Sequence, residues 1–380
     1  MAKKLRMDWF LFGIATTMAL FGSIMVYSAS AMISLKETAS SAGGPTEFQY
    51  FFKQFSFTIL GLVAMYVVSR IDYRIYQNRL VVASLLLVTA ILLISVFFFP
   101  AINGARRWIR IPGMSFQPSE IAKLALPLFF AWFLTEREKY VGDLKTTVLP
   151  NLAVLGFFGG LILMEPDLGT TIVLCAIFTT VYFVSGARLF HLASVAAVLL
   201  TIGGAMLIFA PFRVRRLMAF FDPCSPENAA NAGYQVCQSL LAIGSGGVLG
   251  EGFAKGQQKL FYLPYPYSDF IFAVVGEELG LIGTMAVVAA FALLLWRGAR
   301  AAMQAPDRFG KLLGIGLITG IVVQALFNIS VVISMLPAKG IPLPFISYGG
   351  TSILFTLIAV GVLLNISQYA GFQSVETKRK

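Results

Sequence analysis

Charge is what this 380-residue chain has least of: Asp, Glu, Lys and Arg make up only 12% of it, whereas apolar types reach 58%. So little polar surface cannot cover a water-soluble globule, which excludes a soluble fold. Histidine is nearly missing. The single His191 falls at the start of an expected helix on the inner face, which argues against histidine catalysis or a histidine metal site on the outer one. Three cysteines are too few for a disulfide scaffold or a zinc site. Cys175 lies in an apolar run and reads as an inert core residue. Cys224 and Cys237 share one loop, where an oxidising compartment would permit a bond, and the sequence leaves bonded and free states both open. Fixed-period repeats and low-complexity tracts are missing too. Gly244-Ser-Gly-Gly247 lacks the Lys-Ser/Thr of a phosphate-binding loop, so close backbone approach or a bend is its better reading. The net charge of +11 comes without a basic run interleaved with exposed aromatics in a soluble domain, and nucleic acid is not expected as a partner.

What the chain does have is long apolar runs. A membrane span needs about 20 mostly apolar residues, and such runs lie near 9–32, 51–69, 80–99, 119–134, 148–165, 168–185, 189–211, 269–296, 312–336 and 346–368. With no water to satisfy the backbone they must be helices, and the absence of alternating ten-residue segments argues against a barrel. The expected fold is an all-α integral membrane protein: one polytopic domain over 1–380, about ten transmembrane helices, and a long extracytoplasmic loop at about 212–268 between helices 7 and 8. No small-residue cleavage site follows the first run, which reads as an uncleaved span. Placing the amino terminus in the cytoplasm puts both termini there and 17 of the 29 Lys and Arg residues inside.

The cations left outside are clustered. Arg106, Arg107 and Arg110 share one loop, while Arg213, Arg215, Arg216, Lys255 and Lys259 share the long one. Two readings stand: interfacial snorkelling against headgroups, or a site for an anion. The long loop exceeds what a passive connection needs and is too rich in Phe, Tyr and Leu to stay in water, so it is expected to fold back against the membrane.

Carboxylates gather on the same side. Asp269 stands where this loop meets an apolar helix, either as a cap for the first turn or as a base whose pKa a low-dielectric surround raises. Glu277 and Glu278 follow at membrane depth, where ionisable groups are costly and usually functional or paired; one is expected to face Asp269 and the other a neighbouring helix. Glu120 and Lys123, three apart, can form an ion pair or line a pocket shared with Arg110. Glu165-Pro-Asp-Leu-Gly-Thr170 reads as a capped turn with two more carboxylates. Leu336-Pro-Ala-Lys-Gly-Ile-Pro-Leu-Pro-Phe-Ile-Ser-Tyr-Gly-Gly350 has backbone that membrane depth tolerates only against protein or a cavity.

Arg106-Arg-Trp-Ile-Arg110, Gln117-Pro-Ser-Glu-Ile-Ala-Lys123, Glu165-Pro-Asp-Leu-Gly-Thr170, Gly233-Tyr-Gln235, Gln238-Ser-Leu-Leu-Ala-Ile-Gly-Ser-Gly-Gly247, Ser268-Asp-Phe-Ile-Phe-Ala-Val-Val-Gly-Glu-Glu278 and Pro344-Phe-Ile-Ser-Tyr-Gly-Gly350 together resemble the SEDS family (shape, elongation, division and sporulation) over nearly the whole chain. Tyr27-Ser-Ala-Ser30 and Leu336-Pro-Ala-Lys-Gly340 look more like its division branch, FtsW, than its elongation branch, RodA. The resemblance implies a peptidoglycan glycosyltransferase of the bacterial cytoplasmic membrane that polymerises lipid II at the outer face, at the division septum. It implies Asp269 as the catalytic residue and possible holder of a divalent metal, Mg or Mn. Substrate binding is expected of Arg106, Arg110, Glu120, Lys123, Lys339 and Ser347, with support from Glu277, Glu278, Asp167 and Gln235. The implied partners are a class B penicillin-binding transpeptidase and other division-complex membrane proteins. The chain departs from the family in reading Leu263-Pro-Tyr-Pro-Tyr-Ser-Asp269, without the usual Glu after Leu-Pro or His-Thr before Asp. A lipid II flippase and an elongation polymerase are the alternatives the residues leave open.

Overall fold

A computed structural model describes residues 7–39, 44–101, 104–111, 114–187, 190, 191, 193, 197, 211–231 and 233–369. The helices are α1 (Trp9–Thr38), α2 (Gln49–Arg70), α3 (Arg79–Ser95), α4 (Pro118–Glu136), α5 (Leu149–Met164), α6 (Leu168–Val184), α7 (Pro211–Phe221), α8 (Pro226–Ala229), α9 (Tyr234–Gly246), α10 (Ile271–Met303), α11 (Arg308–Val332) and α12 (Gly350–Ser367). Among the described residues seven helices are long and apolar enough to cross a membrane: α1, α2, α3 with the turn that extends it, α5 with the turn before it, α10, α11 and α12. The apolar α6 is shorter. The seventh expected span, 189–211, lies almost wholly outside the described residues, as do Lys3, Lys4, Arg6, Arg188, Lys378, Arg379 and Lys380.

One correction to an all-α fold is local. The Arg106 loop forms two short antiparallel strands, β1 (Ile109–Ile111) and β2 (Met114–Phe116), with Arg110 opposite Ser115. A β-branched, alternating segment beside a Pro-Gly pair suits such a pairing.

Helices in lipid approach closely where side chains are small. A Cβ on Gly361 of α12 would stand 2.7 Å from the Met65 carbonyl oxygen of α2, so only glycine permits that contact. A Cβ on Gly22 of α1 would come 2.3 Å from the Phe345 carbonyl oxygen. Buried Gln54 then donates to the Ser347 carbonyl at 3.2 Å and accepts from the Gly349 N–H at 3.2 Å, fixing the 345–349 backbone between α1 and α2.

The long loop does fold back. Its helix α9 lies on the start of α10 with the two backbones almost touching, since a Cβ on Gly246 would meet the Gly276 carbonyl oxygen at 2.0 Å. At Gly280, φ +63° breaks α10. Residues 247–252 repair the break: Glu251 and Gly252 donate to the Glu277 and Glu278 carbonyls at 2.9 and 3.0 Å, and Leu281 donates to Gly247 at 2.9 Å. This is the work of the glycine-rich segment, because a broken helix in a membrane survives only if its freed groups find partners.

Charged residues gather at the two ends of the bundle. At one, cations are paired: Arg297 with Asp8 at 2.7 Å, Arg308 with Glu138 at 2.8 Å and Arg74 with Asp307 at 3.3 Å. The remaining candidates collect at the other.

Candidate functional site

Asp269 sits on the turn entering α10, partly buried, and its backbone is held from two directions. Asn328 of α11 donates from Nδ2 to the Asp269 carbonyl and to the Ile341 carbonyl, each at 2.7 Å. Ser347 Oγ donates to the Ser268 carbonyl at 2.5 Å, and the Tyr348 N–H donates to the Tyr267 carbonyl at 2.9 Å. The segment between α11 and α12 therefore closes onto the turn. A Cβ on Gly340 would stand 2.7 Å from Asp269 Oδ2, so this position needs glycine for the carboxylate to keep its place.

Burial pushes the Asp269 carboxyl up to about 6; the Arg107 guanidinium opposes the shift, the Asp167 carboxylate adds to it, and a hydrogen bond from Ser268 opposes it. A carboxyl so placed is ionised at neutral pH and still basic enough to take a proton.

Arg107 is the residue that sequence reasoning passed over in favour of its neighbours. Its guanidinium donates from Nε to the Glu165 carbonyl at 2.9 Å and from Nη2 to the Pro166 carbonyl, tying the Arg106 loop to the turn between α5 and α6. Asp167 on that turn caps α6, accepting from the Thr170 N–H at 3.0 Å and the Thr170 hydroxyl at 2.8 Å, with Gln117 Nε2 at 3.3 Å. Cap and electrostatic neighbour of Asp269 are one residue. Glu165 is fully buried, and among the described residues its carboxylate oxygens accept no hydrogen bond. Burial first, then Asp167, pushes its carboxyl up to about 8 against the pull of Arg107.

The expected pair exists: Lys123 Nζ lies 2.7 Å from Glu120 Oε2. Lys123 also donates to Gln324 Oε1 at 2.6 Å, and Gln324 Nε2 donates to the Pro342 carbonyl at 2.8 Å. The pair is thus wired to the same 336–350 segment that covers Asp269. It lines a small cavity of about 20 Å³ with Gln324, Phe355 and Thr356.

Several expectations need correcting. Arg110 does not line the cavity of Glu120 and Lys123; it is exposed on β1, because strand pairing turns it away, and Arg106 is exposed and donates to the Phe97 carbonyl at 2.6 Å. Glu277 faces neither Asp269 nor another helix. It accepts from the Gln257 and Gln258 N–H groups at 2.6 and 2.9 Å. Glu278 accepts from Ser28 at 2.6 Å and from the Ala254 N–H at 3.0 Å, and pairs with buried Lys259. Both glutamates staple the long loop to α10, and Glu278 reaches α1 as well; Oε2 of Glu277 is buried and accepts no hydrogen bond among the described residues. The Ser347 hydroxyl is spent, since it also accepts from the Leu343 N–H at 2.7 Å. Gln235 is half-buried in the first turn of α9, and no hydrogen bond among the described residues joins it to Asp269. Lys339 is half-buried one residue before Gly340. Cys224 and Cys237 are bonded to each other, fixing the turn before α8 to the start of α9. Gln324 and Asn328 were missed altogether. The available signal was two amides four residues apart in an apolar helix, hence on one face.

No three His, Cys, Asp or Glu side chains come together as a metal cage among the described residues. What Asp269 offers is a single carboxylate, the donor set of a divalent ion held jointly with substrate phosphates.

An apolar helical bundle with a carboxylate and guanidinium site at one end is a class of multi-pass membrane enzyme scaffold, and the comparisons with known proteins narrow it. A family model described as cell cycle protein, FtsW/RodA/SpoVE, matches residues 8–371. The probable peptidoglycan glycosyltransferase FtsW of Geobacter metallireducens is 38% identical over 366 residues, covering 95% of each chain. Stage V sporulation protein E of Bacillus subtilis is 37% identical over 376 residues, 97% of this chain and 99% of that one. Among solved structures, a chain described under structural coordination of polymerization and crosslinking by a peptidoglycan synthase complex superposes with a TM-score of 0.76 at 26% identity, covering 96% of this chain and 98% of that one. The rod shape determining protein RodA of Thermus thermophilus gives 0.68 at 26% identity, covering 96% and 98%. The chain belongs to the FtsW/RodA/SpoVE family.

Proposed function

We infer that the chain is a peptidoglycan glycosyltransferase of the division branch that polymerises lipid II. The observation that carries the chemistry is the Asp269 carboxyl, raised to about 6 beside the Arg107 guanidinium. In the reaction the acceptor sugar hydroxyl attacks the anomeric carbon of the donor. The bond from that carbon to the phosphate oxygen breaks, and undecaprenyl pyrophosphate leaves with the electron pair. Asp269 takes the hydroxyl proton on Oδ, while Arg107, Lys123 and Lys339 neutralise charge on the departing pyrophosphate. A Mg or Mn ion shared between Asp269 and the pyrophosphate suits the single-carboxylate donor set and would add Lewis-acid neutralisation when bound.

The paired cations Arg74, Arg297 and Arg308 suit the cytoplasmic end of the bundle, and Asp269 then faces outward, where lipid II is polymerised. Both termini are cytoplasmic in this arrangement. A solved relative described as part of a peptidoglycan synthase complex supports a cross-linking partner, a class B penicillin-binding transpeptidase, and the FtsW relatives support septal placement. The test is polymerisation of lipid II by the purified protein with its transpeptidase. Asp269→Asn is expected to lose at least about a hundredfold in rate, and wild-type turnover by this variant would sink the assignment. In sealed vesicles, translocation of labelled lipid II without polymer would instead show a carrier.

A further inference from the structure

Two residues before Asp269, three tyrosines from three separate segments converge. Tyr50 opens α2, Tyr267 lies on the turn into α10, and Tyr348 belongs to the segment before α12. Ring centroids are 4.8 Å apart for Tyr50 and Tyr267, 5.0 Å for Tyr50 and Tyr348, and 5.7 Å for Tyr267 and Tyr348. Each ring is half-buried, so each keeps an open edge or face. The exposed Glu37 carboxylate accepts from the Tyr50 hydroxyl at 2.7 Å and has lone pairs to spare.

We propose that Tyr50, Tyr267 and Tyr348, with Glu37, form a saccharide-binding subsite beside Asp269 that takes an amino-sugar ring of the glycan. The inference rests on the polymerase reading and names the part of the site that grips sugar. A pyranose presents one face of C–H groups that fits the electron-rich face of an aromatic ring, while its hydroxyls and acetamido N–H need acceptors. The cluster supplies aromatic faces and a carboxylate together. An interfacial anchoring belt looks different: Phe48, Phe51, Phe52 and Phe55 pack on one another along a single helix, α2 and its cap, with Phe52 61% and Phe55 38% exposed, whereas the tyrosines come together from three separate segments. The Tyr348 N–H to Tyr267 carbonyl bond makes the platform and the Asp269 turn one rigid piece. From Tyr267 to Asp269 the backbone spans at most about 7 Å, on the order of one sugar residue, so a ring held on the tyrosines places its neighbouring hydroxyl or glycosidic carbon at the carboxylate.

The experiment uses the full-length protein with its transpeptidase in nanodiscs and two probes: a lipid-free tetrasaccharide of the alternating N-acetylated glycan, and lipid II with a shortened isoprenoid. Saturation transfer from aromatic protons to sugar ring protons is expected in the wild type and in Asp269→Asn, which keeps the platform. Transfer to the tetrasaccharide assigns the subsite to the growing strand, and transfer to the short lipid II alone assigns it to the incoming unit. Tyr348→Leu and Tyr267→Leu keep apolar bulk without an aromatic face. They are expected to lose the transfer and raise KM for lipid II about two- to tenfold per ring with kcat little changed, while Tyr348→Phe retains both. Absence of transfer to either probe in the wild type overturns the proposal. So does a Phe variant as impaired as Leu, or a fall in kcat at unchanged KM. Turnover of Asp269→Asn is scored separately and tests the polymerase reading.

Discussion

Removing the charge of Arg107 should move the pH dependence of the reaction rather than merely lower its rate. The guanidinium favours the ionised form of Asp269, whose carboxyl lies at about 6 with the cation present. A neighbouring cation lowers a carboxyl by about 1 to 3 pH units, and with Arg107 half-buried and Asp269 partly accessible the lower end applies. In Arg107→Met the acid limb should therefore rise from about 6 to about 7. The sign follows from the base needing to be deprotonated: rate falls as pH drops through the carboxyl's pKa, so a higher pKa costs activity on the acid side only. At pH 6.5 the ionised fraction drops from about three-quarters to about one-quarter, a threefold loss, whereas by pH 8.5 the variant recovers all but what it loses in leaving-group stabilisation. Arg107→Lys keeps the charge but weakens the tie to the Glu165 and Pro166 carbonyls, and its limb should stay near 6. The assay is initial-rate lipid II polymerisation from pH 5 to 9. An acid limb that does not move in Arg107→Met, with equal loss at every pH, would refute the electrostatic link.

Lys259→Met should destabilise the protein by about 3–5 kcal/mol, because it strands the buried Glu278 carboxylate between Ser28 and the Ala254 N–H, and the double variant with Glu278→Gln should recover most of that. Thermal unfolding in detergent checks this, and an unchanged Tm for the single variant would contradict it. Glu165, with its carboxyl held at about 8 by burial, binds a proton more tightly folded than unfolded, so its contribution is fully present below about pH 4.5 and lost as pH rises towards 8. Glu165→Gln should therefore raise Tm more at pH 8 than at pH 6, and an equal gain at both would show that the carboxyl is not protonated in the fold.

Most of the bundle was legible because apolar runs of span length leave a chain no other solution in lipid. The Glu120–Lys123 pair was legible for a related reason, since three-residue spacing on a helix sets both side chains on one face. The choice among Arg106, Arg107 and Arg110 was not. Strand pairing and the reach of a guanidinium to the carbonyls at 165 and 166 decide it, and neither follows from spacing. That Glu277 and Glu278 are paired, one of them towards a neighbouring helix, was legible, but the identity of most of their partners was not. Charges at membrane depth demand partners, and these came from the long loop at Ala254, Gln257, Gln258 and Lys259 and from α1 at Ser28, all distant along the chain.

The sequence by itself determined the helical membrane fold, the family and the aspartate at the head of α10, because hydropathy, glycine placement and motif order are properties of the chain taken locally. Only the tertiary structure decided which cation faces that aspartate, that Ser347 and Glu277 bind backbone groups while Glu278 pairs with Lys259 and Ser28, and that three tyrosines meet beside the site. Each of these depends on segments brought together at close contacts, backbone on backbone at Gly22 and Gly246 and backbone on the Asp269 carboxylate at Gly340, and such contacts between distant segments carry no signature in the local pattern of either one.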